Sequence, residues 1–173
     1  MLENSGNIFL VGPMGSGKTT VGRQLAKHLD RTFYDSDHEL EHRTGARIAL
    51  IFEIEGEAGF RRREKKLIEE LTQLQNIVLA TGGGAVLDED NRRCLKQRGF
   101  VVYLRAPVTR LFARTHRDHS RPLLQTNNPY SKLEEIVKQR DPLYRQVADL
   151  ITDTDHRTIR QVVEEITKIW KSP

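Results

Sequence analysis

Between a run of strand formers, Asn7 to Val11, and a helical pattern lies Gly12-Pro13-Met14-Gly15-Ser16-Gly17-Lys18-Thr19, which fits G-x-x-x-x-G-K-[ST]. This octet constrains the fold more than any other feature, because it works only as a turn from a buried strand into a helix. Its glycines let the backbone bend so that successive N–H groups converge on phosphate oxygens. The helix starting near Gly17 adds its positive end at the same place. Lys18 can reach the β- and γ-phosphates, the Thr19 hydroxyl can ligate Mg²⁺, and Thr20 stands near the α-phosphate. The octet points to a nucleoside triphosphate and leaves the reaction open.

The remaining chain alternates short β-rich runs with longer helical patterns. Strands are expected at Asn7–Val11, Thr32–Tyr34, Ile77–Ala80, Val101–Leu104 and Leu150–Ile151. Between them, Glu64 to Leu74 places Leu67, Ile68, Leu71 and Leu74 on one helical face. A last helix repeats the pattern with Ile159, Val162, Val163, Ile166, Ile169 and Trp170. Such alternation predicts a parallel sheet with helices on both faces and ligands beyond the carboxyl ends of the strands. The length of 173 residues, with 37% hydrophobic and 30% charged residues, fits one globular domain rather than a disordered chain. No repeat or Pro/Ser-rich linker divides it.

Several function classes recede on these grounds. No window approaches the ~20 apolar residues of a membrane span, and no basic leader with a long apolar stretch opens the chain, so a cytoplasmic protein is expected. Cys94 stands alone, is read as a half-buried helix residue, and fits a reducing compartment. A net charge of +4 and a pI near 9.3 suit nucleic acid or a site for polyphosphate and carboxylate equally well. An aromatic content of 6% offers few stacking platforms for nucleic acid.

Three further features narrow the class. Asp35-Ser36-Asp37 closes the second strand, where one carboxylate can hold Mg²⁺ and the other a substrate hydroxyl; alternatively, Asp37 caps a helix beginning at His38. Thr81-Gly82-Gly83-Gly84 follows the third strand, and three consecutive glycines fit a close backbone approach to a small ligand. The third feature is a set of arginines. Gly59-Phe60-Arg61 opens a helix with Glu64 one turn on, able to orient the guanidinium. Arg121-Pro122-Leu123-Leu124 follows Arg110, Arg114 and Arg117, and Arg140 precedes Asp141-Pro142-Leu143-Tyr144. Arginine serves both as a bidentate clamp on carboxylate and as neutralising charge on phosphate. No N-K-x-D motif and no D-x-x-G after a strand accompanies the loop, which speaks against a GTP-binding switch. Kinases for sugar acids or nucleoside monophosphates stay open on the residues alone.

Taken in order, G-x-x-x-x-G-K-T, D-S-D, G-F-R-x-x-E, T-G-G-G, R-P-L-L and R-x-P-L-Y resemble the shikimate kinase family, within the nucleoside-monophosphate-kinase-like group, over nearly the whole chain. The P-loop is common to many families, and the later motifs in that order are far more specific. The resemblance implies a three-layer αβα fold with a five-stranded parallel sheet, of P-loop kinase type with a mobile lid. It implies a single domain over 1–173, with a substrate-binding segment at about 35–64 and a lid at about 115–125. The implied reaction moves the γ-phosphoryl group of ATP to the 3-hydroxyl of shikimate, in a monomer that uses Mg²⁺ and needs no nucleic acid or membrane.

The same resemblance assigns roles by residue. Gly15, Ser16, Gly17, Lys18, Thr19 and Thr20 would hold the ATP phosphates, with Thr19 on Mg²⁺ and Asp35 reaching the metal through water. Asp37 would bind shikimate hydroxyls, including the one that attacks, and Arg61 and Arg140 would clamp the carboxylate. A backbone N–H among Gly82, Gly83 and Gly84, with Gly83 foremost, would fix the ring. Arg121 would meet ATP phosphate as the lid closes, and Arg114 and Arg157 would lie near the adenine. Lys18, Asp37 and Arg121 are thus the implied catalytic residues. His116 and His119 read as surface-loop residues.

Overall fold

All four residues of β1 (Ile8–Val11) are buried, as they must be in a strand covered by helices on both faces. The computed structural model describes residues 6–118 and 122–172. After β1 come α1 (Lys18–Leu29), β2 (Thr32–Asp35), α2 (Ser36–Thr44), α3 (Ile48–Leu71), β3 (Ile77–Ala80) and α4 (Glu89–Arg98). Then follow β4 (Phe100–Arg105), α5 (Val108–Thr115), α6 (Pro129–Val147), β5 (Leu150–Asp153) and α7 (Ile159–Lys171), with 3-10 turns at Ala85–Leu87 and Pro122–Leu124.

The strands form one sheet in the order β2-β3-β1-β4-β5, every pair parallel. In register, Ile8 faces Val78 on one side and Phe100 on the other. The period-2 alternation of side chains then sorts the core into two faces. Ile8, Leu10, Val78, Val102 and Leu104 pack against Val21 and Leu25 of α1 and Val162, Ile166 and Trp170 of α7. Phe9, Val11, Leu79, Val101 and Tyr103 pack against Leu67, Ile68 and Leu71 of α3, Leu95 of α4 and Tyr144 of α6. A smaller cluster of Met14, Leu111, Leu124, Leu133 and Ile136 joins the phosphate loop to α5 and α6.

All five expected strands are present, with boundaries moved by a residue or two. The helices depart more. Asp35, rather than Asp37, caps α2, its Oδ1 accepting from the N–H groups of Asp37 at 3.0 Å and His38 at 3.2 Å. Asp37 therefore lies inside the first turn, and its carboxylate is not spent on the cap. α3 is two helical segments joined across a kink at Gly56, whose φ of 72° few other residues accept, so Gly59-Phe60-Arg61 lies at the opening of the second segment, close to the expected place. Leu74 lies beyond the end of α3 and is 40% exposed, because the helix stops at a Thr72 cap before the chain turns into β3. In α7, Ile159 is the first helical residue and Ile169 sits at the edge of the stripe, so both are exposed while Val162, Val163, Ile166 and Trp170 are buried. Cys94 is a buried free thiol on α4, bonded to Glu69 Oε2 at 2.9 Å.

Asn7, just before β1, ties three segments together. Its amide donates to Leu74 O at 2.6 Å and accepts from the Ile77 N–H at 3.1 Å, in a buried setting. Asn7→Ala would strand both backbone groups, and unsatisfied buried polar groups are expensive, so a loss of about 2 kcal/mol is expected in urea unfolding. A loss within experimental error would show that the two backbone groups find other partners.

Candidate active site

The phosphate loop leaves β1 at the carboxyl edge of the sheet. Gly15 takes φ 81° with Thr115 Cγ2 only 2.8 Å from where a Cβ would stand, so glycine is required on both counts. The first turn of α1 carries no acidic side chain to compete for its amides. Lys18 is buried, its Nζ donating to Gly12 O at 2.6 Å and Pro13 O at 2.9 Å, which holds the ammonium at the loop. Thr19 Oγ1 donates to Asp35 Oδ2 at 2.6 Å, bringing the end of β2 to the start of α1. Arg114 reaches over from α5 to donate to Gly15 O at 2.8 Å.

A cavity of about 630 Å³ runs from this loop into a second, acid-and-arginine chamber. Asp37 enters from α2, Arg61 and Glu64 from α3, Arg140 from α6, and Gly82–Gly84 from the end of β3. The glycine triplet is explained by what presses on it. A Cβ on Gly82 would stand 2.8 Å from Asp37 Oδ1 and 3.0 Å from Glu64 Oε2, and one on Gly84 would stand 2.3 Å from Arg61 Nη2. Gly83 lies between the phosphate loop and Arg140, its Cβ position 3.4 Å from Met14 N and 3.8 Å from Arg140 Nη1. The triplet is the wall on which the site's charged groups rest.

Arg140 is the unusual member. The buried stripe of α6 is Leu133, Ile136, Arg140, Tyr144 and Val147, one guanidinium in an otherwise uncharged helix face. Its Nε, the Arg61 Nε and Glu64 Oε2 are buried without hydrogen-bond partners among the described residues. Burying a charge in this way is costly unless a ligand completes the bonding, and an anion with oxygen acceptors matches the guanidinium donors. Arg61 is steadied by Glu64, with Nη1 to Oε1 at 2.9 Å, and its guanidinium lies over the Phe60 ring at 5.1 Å. Burial lifts the Glu64 carboxyl from 4.5 to about 7, and repulsion from Asp37 adds to this, against the pull of Arg61 and Arg140.

Most residues singled out in the sequence meet in this cavity: Gly15, Gly17, Lys18, Thr19, Thr20, Asp35, Asp37, Arg61, Gly82, Gly83, Gly84 and Arg140. Ser16 is fully buried beneath it. Arg114 and Arg157 are not in the lining. Arg157 is tied to the Thr152 hydroxyl at 2.8 Å and paired with Glu165. Arg121 and His119 lie outside the described residues. Sequence reasoning missed Phe52 and Phe60 as lining, because an apolar helix residue beside a pocket has the same periodicity as one in the core, and it missed Arg47, which precedes α3 outside any motif. The stripe spacing of Arg140 was the signal available for a buried charge.

The elevated Glu64 value makes a pH prediction. A carboxyl whose folded-state pKa lies above its ordinary value contributes stability that is fully present below about 4.5 and is lost as pH rises through about 7. The shift corresponds to something on the order of 3 kcal/mol. Glu64→Gln, neutral throughout, should gain stability relative to the unsubstituted chain as pH rises across that window in urea unfolding. Parallel pH curves would mean that Arg61 keeps the carboxylate ionised.

The family model described as shikimate kinase matches residues 14–171. Shikimate kinase of Nitrosococcus oceani is 60% identical over 162 residues, covering 94% of this chain and 85% of that protein. Among solved structures, shikimate kinase from Acinetobacter baumannii in complex with shikimate is 54% identical with a TM-score of 0.94, covering 96% of this chain and 93% of that one. Shikimate kinase from Aquifex aeolicus is 34% identical with a TM-score of 0.83, covering 94% of each chain. The motifs, the parallel sheet with its phosphate loop, and these relatives agree: the chain is an ATP-dependent P-loop kinase and belongs to the shikimate kinase family.

Proposed function

We propose that this kinase transfers the γ-phosphoryl group of ATP to the 3-hydroxyl of shikimate, giving shikimate 3-phosphate and ADP, a step of chorismate and aromatic amino acid biosynthesis. The observation that carries the reading is the pair of arginines, Arg61 and Arg140, with unpartnered buried Nε atoms in the same cavity as the phosphate loop. A small acid gripped there by its carboxylate presents its hydroxyls to Asp37, between the clamp and the triphosphate.

In the transfer, the hydroxyl oxygen forms a bond to the γ-phosphorus while the bond from that phosphorus to the bridging oxygen of ADP breaks. Transition states of this reaction are loose, so positioning and charge neutralisation outweigh base strength. Asp37 orients the hydroxyl and accepts its proton. Lys18 and the loop amides of Gly15 to Thr20 hold the phosphates, and Arg121 adds charge from the lid at about 115–125. Arg114, on the loop at Gly15 O, and Arg157 stand on the adenine side. A backbone N–H of the triplet, Gly83 foremost, fixes the ring, and the segment at about 35–64 embraces the acid.

Mg²⁺ fits the oxygen donors Thr19 Oγ1 and Asp35 Oδ2, which are 2.6 Å apart. Thr19 would hold the ion, with Asp35 acting through water, and the ion would supply charge neutralisation at the phosphates. No helix of the described residues is long and apolar enough to cross a membrane, and the reading is of a cytoplasmic monomer over residues 1–173.

The reading is tested by ADP release with shikimate, gluconate and AMP as acceptors, where turnover confined to shikimate is expected. Arg61→Ala and Arg140→Ala should each raise KM for shikimate by about 10–100-fold, the loss of a charged hydrogen-bonding group, while KM for ATP changes by less than about threefold. Equal effects on both substrates would remove the carboxylate clamp. Gly84→Ala, whose Cβ displaces Arg61, should follow the same pattern, with the larger change in KM for shikimate.

A further inference from the structure

We infer that Tyr144 is a positioning residue for the acid substrate, its buried hydroxyl holding the peptide between Gly83 and Gly84 in one orientation. The inference rests on shikimate occupying the cavity lined by the triplet.

Every carbonyl of the triplet has a fixed donor. Gly82 O accepts from the Ala85 N–H at 3.0 Å, Gly84 O from the Leu87 N–H at 3.1 Å, and Gly83 O from the Tyr144 hydroxyl at 2.5 Å. The Gly82 N–H is also taken, by Ser36 Oγ at 2.9 Å. The Gly83 and Gly84 N–H groups alone among the triplet's polar atoms have no acceptor among the described residues. In a trans peptide the C=O and the following N–H point in opposite directions. Drawing Gly83 O toward α6 therefore turns the Gly84 N–H away from that helix, as the turn at Ala85 does for the Gly83 N–H. Glycines have the freedom to flip these peptides, so a bond of this kind decides which face they show.

Two of the three fixed bonds are local turns; the third comes from α6. Tyr144 lies one helical turn after Arg140, so a single helix sets both the guanidinium and the peptide beside it. Burial keeps the phenol protonated, lifting it to about 12, so it stays a donor over any working pH. The neighbouring Tyr103 provides an internal contrast. Its ring meets that of Tyr144 at 4.9 Å, yet its hydroxyl donates to Asp141 Oδ1 at 2.6 Å rather than to the triplet.

The test compares Tyr144→Phe with Tyr103→Phe, each of which removes one hydroxyl and keeps the ring. Tyr144→Phe is expected to raise KM for shikimate about tenfold while KM for ATP moves less than about twofold. Tyr103→Phe is expected to lower Tm with both KM values near those of the unsubstituted enzyme. An unchanged KM for shikimate in Tyr144→Phe, or an equal rise in both variants that tracks Tm, overturns the inference. Amide NMR of the unsubstituted enzyme gives a readout that requires no variant to fold. Saturating shikimate should move the Gly83 and Gly84 amide resonances downfield, and unmoved resonances overturn the inference. Absence of shikimate turnover in the unsubstituted enzyme overturns the functional assignment as well; normal turnover with an unaffected Tyr144→Phe overturns only the role of Tyr144.

Discussion

A guanidinium whose buried Nε has no hydrogen-bond partner among the described residues, sunk into a helix stripe otherwise free of charge, is the constraint around which the acid end of this molecule is arranged. Arg140 sits between Ile136 and Tyr144 on the buried face of α6, where water cannot solvate it freely and no carboxylate neutralises its Nε. Such a group is tolerable where a ligand carboxylate completes its bonding. Arg61 is treated differently, being steadied by Glu64 at 2.9 Å while keeping its own Nε unpartnered. Glu64 in turn sits so deep that burial outweighs the pull of its arginine. The site thus carries more donors than its own acceptors satisfy, the condition under which an incoming anion gains most.

The phosphate end solves the opposite problem with main chain. There the loop amides and the start of α1 lie together, with Lys18 held on loop carbonyls. The two ends are joined by the glycine triplet, whose residues abut the phosphate loop on one side and Asp37, Glu64, Arg61 and Arg140 on the other. A side chain at Gly82 would press on Asp37 and Glu64, and one at Gly84 on Arg61. The triplet thus holds the phosphate loop and the acid chamber in one frame, and a reaction governed by positioning depends on such a frame.

Much of this was legible in the chain. The octet at Gly12 to Thr19, the five β-rich runs and the amphipathic helices fixed the fold class, because alternation and periodicity are local properties of sequence. The later motifs placed Asp37, Arg61 and Arg140 in one cavity, as observed. What went astray were details at helix ends: the alternative of Asp37 as a cap, and Leu74 as part of the apolar helix face. Each depends on a competition between neighbouring hydrogen bonds that differ little in energy, and Asp35 won the α2 cap because its carboxylate faces two amides at once.

By itself the amino-acid order determined the architecture, the phosphate loop and the identities of the charged groups, since these follow from patterns a few residues long. Only the tertiary structure decided that the Arg140 Nε would be buried without a hydrogen-bond partner among the described residues, that burial would lift the Glu64 carboxyl above its ordinary value, and that Tyr144 would reach Gly83 across 61 residues. Those outcomes depend on which surfaces the sheet brings together, and solvation at a point in space is set by everything packed around it rather than by the neighbours along the chain.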